Sequence, residues 1–572
     1  MALLEELNRR GVIRAAAMYI AIAWGGTEIL VFLIEAFWGE PASDPARKYL
    51  AILFLAGFPA VMYLAWSRDL GLQARRVVAA SSLVTVLVAV LIWLTPNPPL
   101  IPAIPEGKLA DIDPKSIAVL PFVNISGDEE NTYFSHGISE ELLNLLTRIP
   151  DLKVSSRTSS FYFAGRDVPL KEVAAKLAVR HILEGSVRKS GNKVRITAQL
   201  IDAGTDTHLW SETYDREVLD TFAVQDEIAS KIVGELQLNL ADSIHSARPT
   251  ESEEAFDLYL RGWHFMRQGW GRDDFLSARA YFSEAVKLDP GFAQAHALLS
   301  LTEVSLGNFR HLAPGDVYPS AYEAASAALT LNESLPEAHM AMGWLALSYQ
   351  FDWRKAEKEF RRTIELAPGN FIGYNGLSFA LQAGGQLDEA LVASRRVFEL
   401  DPMMVWSRSG LAEVYVKQRN YDAALEQVLV ILEMQPADGL TLFWAGSICM
   451  ANGMPAEALE YASKAAGLAD GDANLELHLA GLYALLGDAS EARRLLARAM
   501  AQQESKFVSP ASIAIVYTHL GEYGLAIDWL YRAVEAYDSY IFNLGLPDFD
   551  ALRSEPRFIQ LCADLRMPCA DK

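Results

Sequence analysis

The chain has 572 residues, with 50 Lys and Arg against 72 Asp and Glu, and a formal net charge of −22. A chain this acidic lacks the dominant basic face that neutralises phosphates, so no nucleic-acid partner is expected. Hydrophobic residues make up 51% and charged residues 21%, which excludes an intrinsically disordered chain. Only three cysteines are present, which excludes a fold built on a disulfide framework.

The apolar residues are concentrated at the start of the chain, in three blocks separated by short charged stretches. Each block approaches the roughly 20 residues that a membrane-spanning helix requires. The sequence therefore predicts a three-helix transmembrane anchor in residues 1–94, with spans at about 15–37, 49–67 and 77–94. The first block contains Glu28, so two spans and an interfacial helix are the alternative. Glu28 is expected to be hydrogen-bonded inside the bundle or lifted toward an interface, and a proton or ion site is the alternative.

Basic residues beside these blocks predict the orientation of the anchor. They precede the first span and follow the first and second spans, at Arg9, Arg10, Arg14, Arg47, Lys48, Arg68, Arg75 and Arg76. By the positive-inside rule the amino terminus is cytoplasmic. Three spans then place everything after residue 94 in the periplasm, so we expect a multi-pass protein of a bacterial inner membrane that contacts the lipid bilayer.

A proline-rich linker at 95–115 is expected to act as a semi-rigid spacer. Residues 116–245 then have the pattern of a small α+β domain. Strand-type runs alternate with helical patterns, at 116–122, 138–149, 152–156, 170–177, 181–188, 193–201, 208–214 and 222–240. Ser190-Gly191-Asn192 separates two of the strands and predicts a hairpin turn.

Several blocks of this domain, SIAVLPFVNISGDEENTYFSHGISEELLNLLTRI, SSRTSSF and HILEGSVRKSGNKVRITAQLIDAGTDTHLWSETYDRE among them, resemble the TolB-type amino-terminal domain. That module is common in bacterial proteins that continue into tetratricopeptide repeats. The membrane region is similar to the short multi-span anchors found ahead of it. In better-known relatives a winged-helix DNA-binding domain or a cyclase domain accompanies the module. Neither is recognised in this sequence, so their activities are not expected here.

A period of 34 residues dominates the remainder of the chain. Small residues recur at this spacing, at Ala390, Ala424, Ala458 and Ala492. This period is the tetratricopeptide signature, a helix–turn–helix unit that must stack on its neighbours to bury its apolar face. We expect an all-α superhelix of about eight repeats over 252–536 and a carboxyl-terminal cap at 537–572. Residues 247–572 hold 27 basic and 43 acidic side chains, so most of the acidity belongs to the repeats.

The same period predicts which side chains line the concave surface, because those positions project from the first helix of each repeat. They form an apolar groove with aromatic residues, suited to an amphipathic helix or an extended peptide of a protein partner. The alternative is that several of them pack within the superhelix. The predicted groove residues are Met340, Trp344, Asn375, Phe379, Trp406, Glu413, Phe443 and Met450.

Motifs for catalysis are incomplete, so we expect no enzyme, cofactor or metal site. Ser186 and Lys189 match S-x-x-K, but in a strand two residues at this spacing point to opposite faces. Gly376–Ala380 resembles a nucleophile elbow and departs from it at the last position, inside a repeat helix. The histidines form no H-x-x-x-H pair and no cluster with cysteine.

Cys562 and Cys569 lie seven residues apart at the carboxyl end. In the periplasm they would form a disulfide that holds the cap, and two free buried thiols are the alternative.

The combined prediction is a membrane-anchored scaffold whose repeats bind a protein partner in the periplasm. The second hypothesis is a membrane sensor, whose external domains bind a ligand and signal to a cytoplasmic partner.

Overall fold

The computed structural model describes the chain beyond the predicted anchor. Its described residues are 112–128, 131–166, 168–236, 238, 249–269, 271–469, 471–503 and 506–568. They belong to the second of two compact units, 101–572. The three predicted membrane spans and most of the linker lie outside the described residues. Within the described ranges, no helix has the length and apolar character needed to cross a bilayer.

Residues 116–235 form a small α+β domain with one six-stranded sheet. The strands are β1 (Ser116–Val119), β2 (Val123–Asn124), β3 (Lys153–Val154), β4 (His181–Ser190), β5 (Lys193–Asp202) and β6 (Thr207–Glu217). Their order is β3-β1-β4-β5-β6, with β2 also beside β4. The helices are α1 (Thr132–Thr147), α2 (Arg157–Phe161), α3 (Leu170–Leu177) and α4 (Thr221–Glu235). Pairs involving β1, β2 and β3 are parallel, whereas β4, β5 and β6 pair antiparallel.

The predicted hairpin is confirmed, since β4 and β5 pair from His181 with Asp202 to Ser190 with Lys193. Gly191 has a φ of 60°, a left-handed conformation that glycine adopts without strain. The predicted first strand is interrupted, because Pro121 has no N–H to donate to a ladder. The backbone N–H of Phe122 instead donates a hydrogen bond to the Ser139 hydroxyl at 2.9 Å. The first helix begins at Thr132, earlier than the sequence pattern indicated.

Sixteen helices between residues 253 and 535 form eight antiparallel pairs, called repeats 1 to 8 here. They are Glu253–Gln268 with Arg272–Leu288, Ala293–Asn308 with Pro314–Leu331, Pro336–Ser348 with Trp353–Leu366, Phe371–Ala383 with Leu387–Leu400, Val405–Lys417 with Tyr421–Met434, Gly439–Ala451 with Pro455–Ala466, Ala473–Leu485 with Ala489–Met500, and Pro510–His519 with Tyr523–Glu535. The four periodic alanines that define the 34-residue spacing are each 0% exposed. Small side chains at these positions let successive helices approach closely.

The α+β domain packs directly on the repeats, an arrangement that the sequence did not predict. The Tyr259 hydroxyl donates to Glu141 on α1 at 2.7 Å, and the Gly369 N–H donates to the Thr147 carbonyl at 2.9 Å. The Ser159 hydroxyl on α2 donates to Asp401 at 2.5 Å. One cluster of buried apolar side chains extends from the sheet into the repeats. The domain is therefore held against repeat 1 and against the loops that precede and follow repeat 4.

The chain after repeat 8 turns back into the superhelix. Two 3₁₀ turns, Ser539–Asn543 and Pro547–Leu552, precede a last helix at Pro556–Asp564. The first turn packs on the first helices of repeats 3, 4 and 8. Beyond the last helix, the Trp353 indole donates to the Arg566 carbonyl at 2.7 Å. The predicted cap thus reaches back to repeat 3, and it also covers the last repeat.

Candidate functional site in the interior of the repeats

The eight predicted groove residues lie on the first helices of repeats 3 to 6, as the 34-residue period indicates. They do not line one continuous groove. Five of them line one cavity, two line a second cavity, and Glu413 lines neither. The segment at 538–552, called the C-terminal segment here, provides wall residues to both cavities, with Phe542 in the first and Tyr540 in the second.

The first cavity, called the aromatic cavity, has a volume of about 320 Å³. Seven of its 17 lining residues are aromatic, and neighbouring rings are in contact. The ring centroids are 5.7 Å apart for Trp344 and Phe379, and 5.5 Å apart for Phe309 and Trp406. Trp406 is 39% exposed and Phe309 is 37% exposed, so these two rings meet solvent. The predicted residues in this cavity are Met340, Trp344, Asn375, Phe379 and Trp406.

Glu413 has a structural role instead of lining a cavity. Its carboxylate lies 3.1 Å from the Lys417 ammonium, one helical turn along the same helix. Lys417 is almost fully buried and also donates to the Asn543 side chain at 2.7 Å. Burial lowers the pKa of Lys417, and the charge of Glu413 opposes that change. This pair therefore ties the C-terminal segment to the wall of repeat 5.

The second cavity, called the histidine cavity, has a volume of about 270 Å³ and is lined by the predicted residues Phe443 and Met450. His478 lies in its wall, with its ring parallel to that of Phe443 at a centroid distance of 4.7 Å. Burial lowers the pKa of His478 to about 3, and the charge of Arg310 acts in the same direction. The imidazole is therefore neutral at physiological pH. His519 and Asp548 lie 3.4 Å apart in the same wall.

Sequence reasoning missed the contribution of the chain end. Phe542 contacts Phe379 at a ring-centroid distance of 5.6 Å, and Arg310 lies over the Tyr540 ring at 5.7 Å. Asp550 pairs with Arg419 on repeat 5 at 2.7 Å. A signal was present in the run DSYIFNLGLPDF, which follows the last repeat and is unusually rich in aromatic residues for a terminal segment. The 34-residue pattern gives no position to this run, because it lies outside the repeats.

The incomplete catalytic motifs lie in structural contexts. Lys189 pairs with Asp257 of repeat 1 at 3.0 Å, whereas Ser186 is three positions away on the same strand and lies on the opposite sheet face. Ser378, within the elbow-like sequence, is buried in a repeat helix and lies 2.7 Å from the Ser394 hydroxyl. Within the described residues, no group of three or more His, Cys, Asp or Glu has a metal-binding arrangement.

The cysteines divide between the repeats and the chain end. Cys449 is a free, buried thiol on the first helix of repeat 6. Cys562 is buried in the last helix and is disulfide-bonded. Cys569 lies outside the described residues, so a bridge between these two positions remains a prediction.

Known proteins are similar to parts of this chain. Residues 410–473 match the tetratricopeptide repeat family model. A protein of Rhizobium meliloti (strain 1021) named "Putative adenylate cyclase 3" is 38% identical over 267 residues, which cover 46% of this chain and 44% of that protein. The cellulose synthase operon protein C of Pseudomonas fluorescens (strain SBW25) is 25% identical over 362 residues, covering 54% of this chain and 28% of that protein. The chain therefore spans less than half the length of these relatives.

Solved structures resemble the described part at low identity. A tetratricopeptide repeat protein from Parabacteroides merdae ATCC 43184 is 15% identical with a TM-score of 0.35, and the match covers 48% of this chain and all of that one. PilW, a type IV pilus biogenesis factor, is 17% identical with a TM-score of 0.32, covering 38% of this chain and 94% of that one.

The matched family model covers most of repeats 5 and 6, and the same helix pair occurs eight times between residues 253 and 535. This chain therefore contains tetratricopeptide repeats, and repeats of this kind generally bind protein or peptide partners.

Proposed function

We propose that this protein is a membrane-anchored interaction scaffold that binds a protein or peptide partner in the aromatic cavity, on the periplasmic side of a bacterial inner membrane. The observation that carries the proposal is the convergence of five residues from three repeats on one cavity of about 320 Å³. Large aromatic side chains in a concave site are the usual anchors of protein recognition. The chain has no catalytic role of its own in this proposal.

The geometry favours a partner that inserts one large apolar side chain over one that lies along a long groove. The C-terminal segment contributes Phe542 to the aromatic cavity and Tyr540 to the histidine cavity, and the two cavities share no lining residue, so the described interior offers no single groove for a helix. The cavity is near the lower end of the roughly 300–1,000 Å³ that ligand sites span. The exposed rings of Phe309 and Trp406 provide the first contact with such a side chain. The acidity of the repeats favours a basic surface around it.

Replacing Trp406 and Phe309 together by Ser is expected to weaken partner binding at least ten-fold, because it removes the two rings that meet solvent at the cavity. Both side chains are more than one third exposed, so the fold is expected to keep its thermal midpoint within a few degrees. The measurement is photo-crosslinking in cells through a benzophenone amino acid at position 404. The matched control is Val392→Ser, which removes a 68% exposed apolar side chain from the second helix of repeat 4.

The crosslinking result decides whether the aromatic cavity is the binding site. A crosslinked partner that disappears in the double variant and persists in the Val392→Ser control supports the aromatic cavity as the site. Equal crosslinking in the double variant and the original chain contradicts it.

The proposed location is tested by fusing alkaline phosphatase, and separately a cytoplasmic reporter, after Leu94. Phosphatase is expected to be active and the cytoplasmic reporter inactive, because three predicted spans and the distribution of Arg and Lys predict that the following residues lie outside the cytoplasm. A fusion after residue 70, in the loop between the second and third predicted spans, is the control and is expected to show the reverse. Inactive phosphatase after Leu94 would overturn the periplasmic location.

A sensor is the second candidate, and the shared core favours it. Buried apolar side chains are continuous between the repeats and the α+β domain, which follows the predicted anchor in the chain. A ligand that binds the repeats can therefore change how the domain is held. Partners crosslinked to the loops between the predicted spans, in place of the aromatic cavity, would favour this alternative.

A further inference from the structure

The histidine cavity is separate from the aromatic cavity and has the features of a small-molecule site. Its walls come mainly from the first helices of repeats 6, 7 and 8 and from the C-terminal segment, with Val416 and Tyr421 of repeat 5 at one side. Apolar side chains form most of the surface, with Leu477, Leu482, Ile515 and Leu546 among them. No residue that lines it also lines the aromatic cavity. A partner side chain in the aromatic cavity therefore leaves this chamber unfilled.

Two buried polar atoms in this wall have no hydrogen-bond partner within the described part of the chain. One is the hydroxyl of Ser512, a side chain that is only 2% exposed, and the other is Nδ1 of His478. They lie on the adjacent first helices of repeats 7 and 8. An unpaired buried hydroxyl destabilises the fold, so a group that supplies the missing hydrogen bond is stabilised there.

The charges around the cavity limit the ligand to a neutral molecule. Among the described residues, no Lys or Arg lines the chamber, and the Asp548 carboxylate is part of its wall. A carboxylate ligand would be repelled by Asp548 and would find no Lys or Arg in the described wall, since Arg310, whose charge acts on His478, lies outside the lining and pairs with Asp538 at 3.9 Å. A cationic ligand would lose its hydration in a largely apolar chamber. The Asp548 carboxylate already lies 3.4 Å from His519 and would not fully replace that hydration.

We infer that the histidine cavity binds a small, neutral, mostly apolar molecule that carries one hydroxyl or amide group, with that group held by Ser512 and His478. The apolar body fills the space between the leucine and isoleucine side chains. The Ser512 hydroxyl donates to or accepts from the polar group of the ligand, and the neutral imidazole supplies the second hydrogen bond. This site is independent of the partner proposed for the aromatic cavity.

The test compares three probes of similar size on the purified full chain: benzyl alcohol, toluene and benzoate. Calorimetry measures each affinity, and the methyl resonance of Met450, which lines the cavity, reports the location. Benzyl alcohol is expected to bind most tightly and to shift the Met450 resonance. Benzoate is expected not to bind.

Ser512→Ala is expected to weaken benzyl alcohol binding about ten-fold, the effect of losing one net hydrogen bond, and to change toluene binding less than two-fold. The variant removes an unpaired buried hydroxyl, so its thermal midpoint is expected to stay the same or rise. Ser463→Ala, which removes a hydroxyl on the exposed second helix of repeat 6, is the matched control. Absence of benzyl alcohol binding, as expected if water alone satisfies these groups, would overturn the inference. So would tight benzoate binding, or equal affinities in the original chain and Ser512→Ala.

Discussion

Lys417→Met is expected to lower the free energy of unfolding by about 3–5 kcal/mol, the cost of leaving a buried charge without its partner. Lys417 is 2% exposed and Glu413 is 11% exposed, so neither charge regains water when the other is removed. The substitution also removes the donor that binds Asn543 in the C-terminal segment. Urea unfolding of the full chain gives the stability. Limited proteolysis in native buffer shows whether the C-terminal segment is released, with cleavage near residue 545 expected to become faster.

The double variant Glu413→Leu, Lys417→Met is expected to recover most of that loss, because an apolar pair of similar volume carries no desolvation penalty. Glu460 and Lys464 form the matched control, since they have the same spacing on one helix but are more than half exposed. Lys464→Met is expected to leave the urea midpoint unchanged, because solvent screens an exposed pair. A double variant no more stable than Lys417→Met alone would show that the buried charges do not account for the effect.

Glu141→Gln is expected to stabilise the protein above pH 7 and to have little effect below pH 4.5. The pKa of Glu141 is raised to about 7, chiefly by burial. The charges of Glu337 and Glu140 also raise it, while the hydrogen bond from Tyr259 and the charge of Arg148 lower it. Because the folded-state pKa is above the ordinary value of 4.5, the native state prefers the protonated form. Stability from this group is complete below about pH 4.5 and is lost as the pH rises to about 7.

The expected gain from Glu141→Gln at pH 8 is roughly 1–3 kcal/mol, since each pKa unit corresponds to about 1.4 kcal/mol. The neutral amide still accepts the hydrogen bond from Tyr259, so the contact between α1 and repeat 1 is kept. Urea unfolding at pH 4.5 and pH 8 measures the difference. The control is Glu254→Gln, which replaces an exposed carboxylate at the start of the first helix of repeat 1, the helix that carries Tyr259. It is expected to have no such pH-dependent effect on stability. A Glu141→Gln variant that follows the original pH profile would contradict this explanation.

The histidines of the interior illustrate what a sequence pattern leaves open. His478 occupies an ordinary position of a first helix in repeat 7, and nothing in its neighbours along the chain marks it. Its neutral state follows from burial against Phe443 and from the nearby charge of Arg310, which lies in the loop of repeat 2. Residues 168 positions apart in the chain are brought together only by the turn of the superhelix.

The predicted groove residues also show what the sequence predicts and what it leaves open. The 34-residue period placed Met340, Trp344, Asn375 and Phe379 on the correct helix faces, because one repeat fixes where its side chains project. It placed Glu413 on such a face as well. Whether a projecting side chain meets solvent, a cavity or another segment depends on what else enters the interior. Asn543 reaches Lys417 beside Glu413, and the period contains no information about that contact.

The sequence by itself determined the local units: the hairpin around Gly191, the small α+β domain and eight helix pairs. These units can be predicted because alternating apolar residues and the repeated spacing are patterns of the sequence itself. Only the tertiary structure decided that α1 and α2 pack on the repeats and that the C-terminal segment forms part of the wall of both cavities. Those arrangements depend on contacts between distant residues, such as Ser159 with Asp401 and Lys417 with Asn543, whose shapes and charges match only after the superhelix has formed.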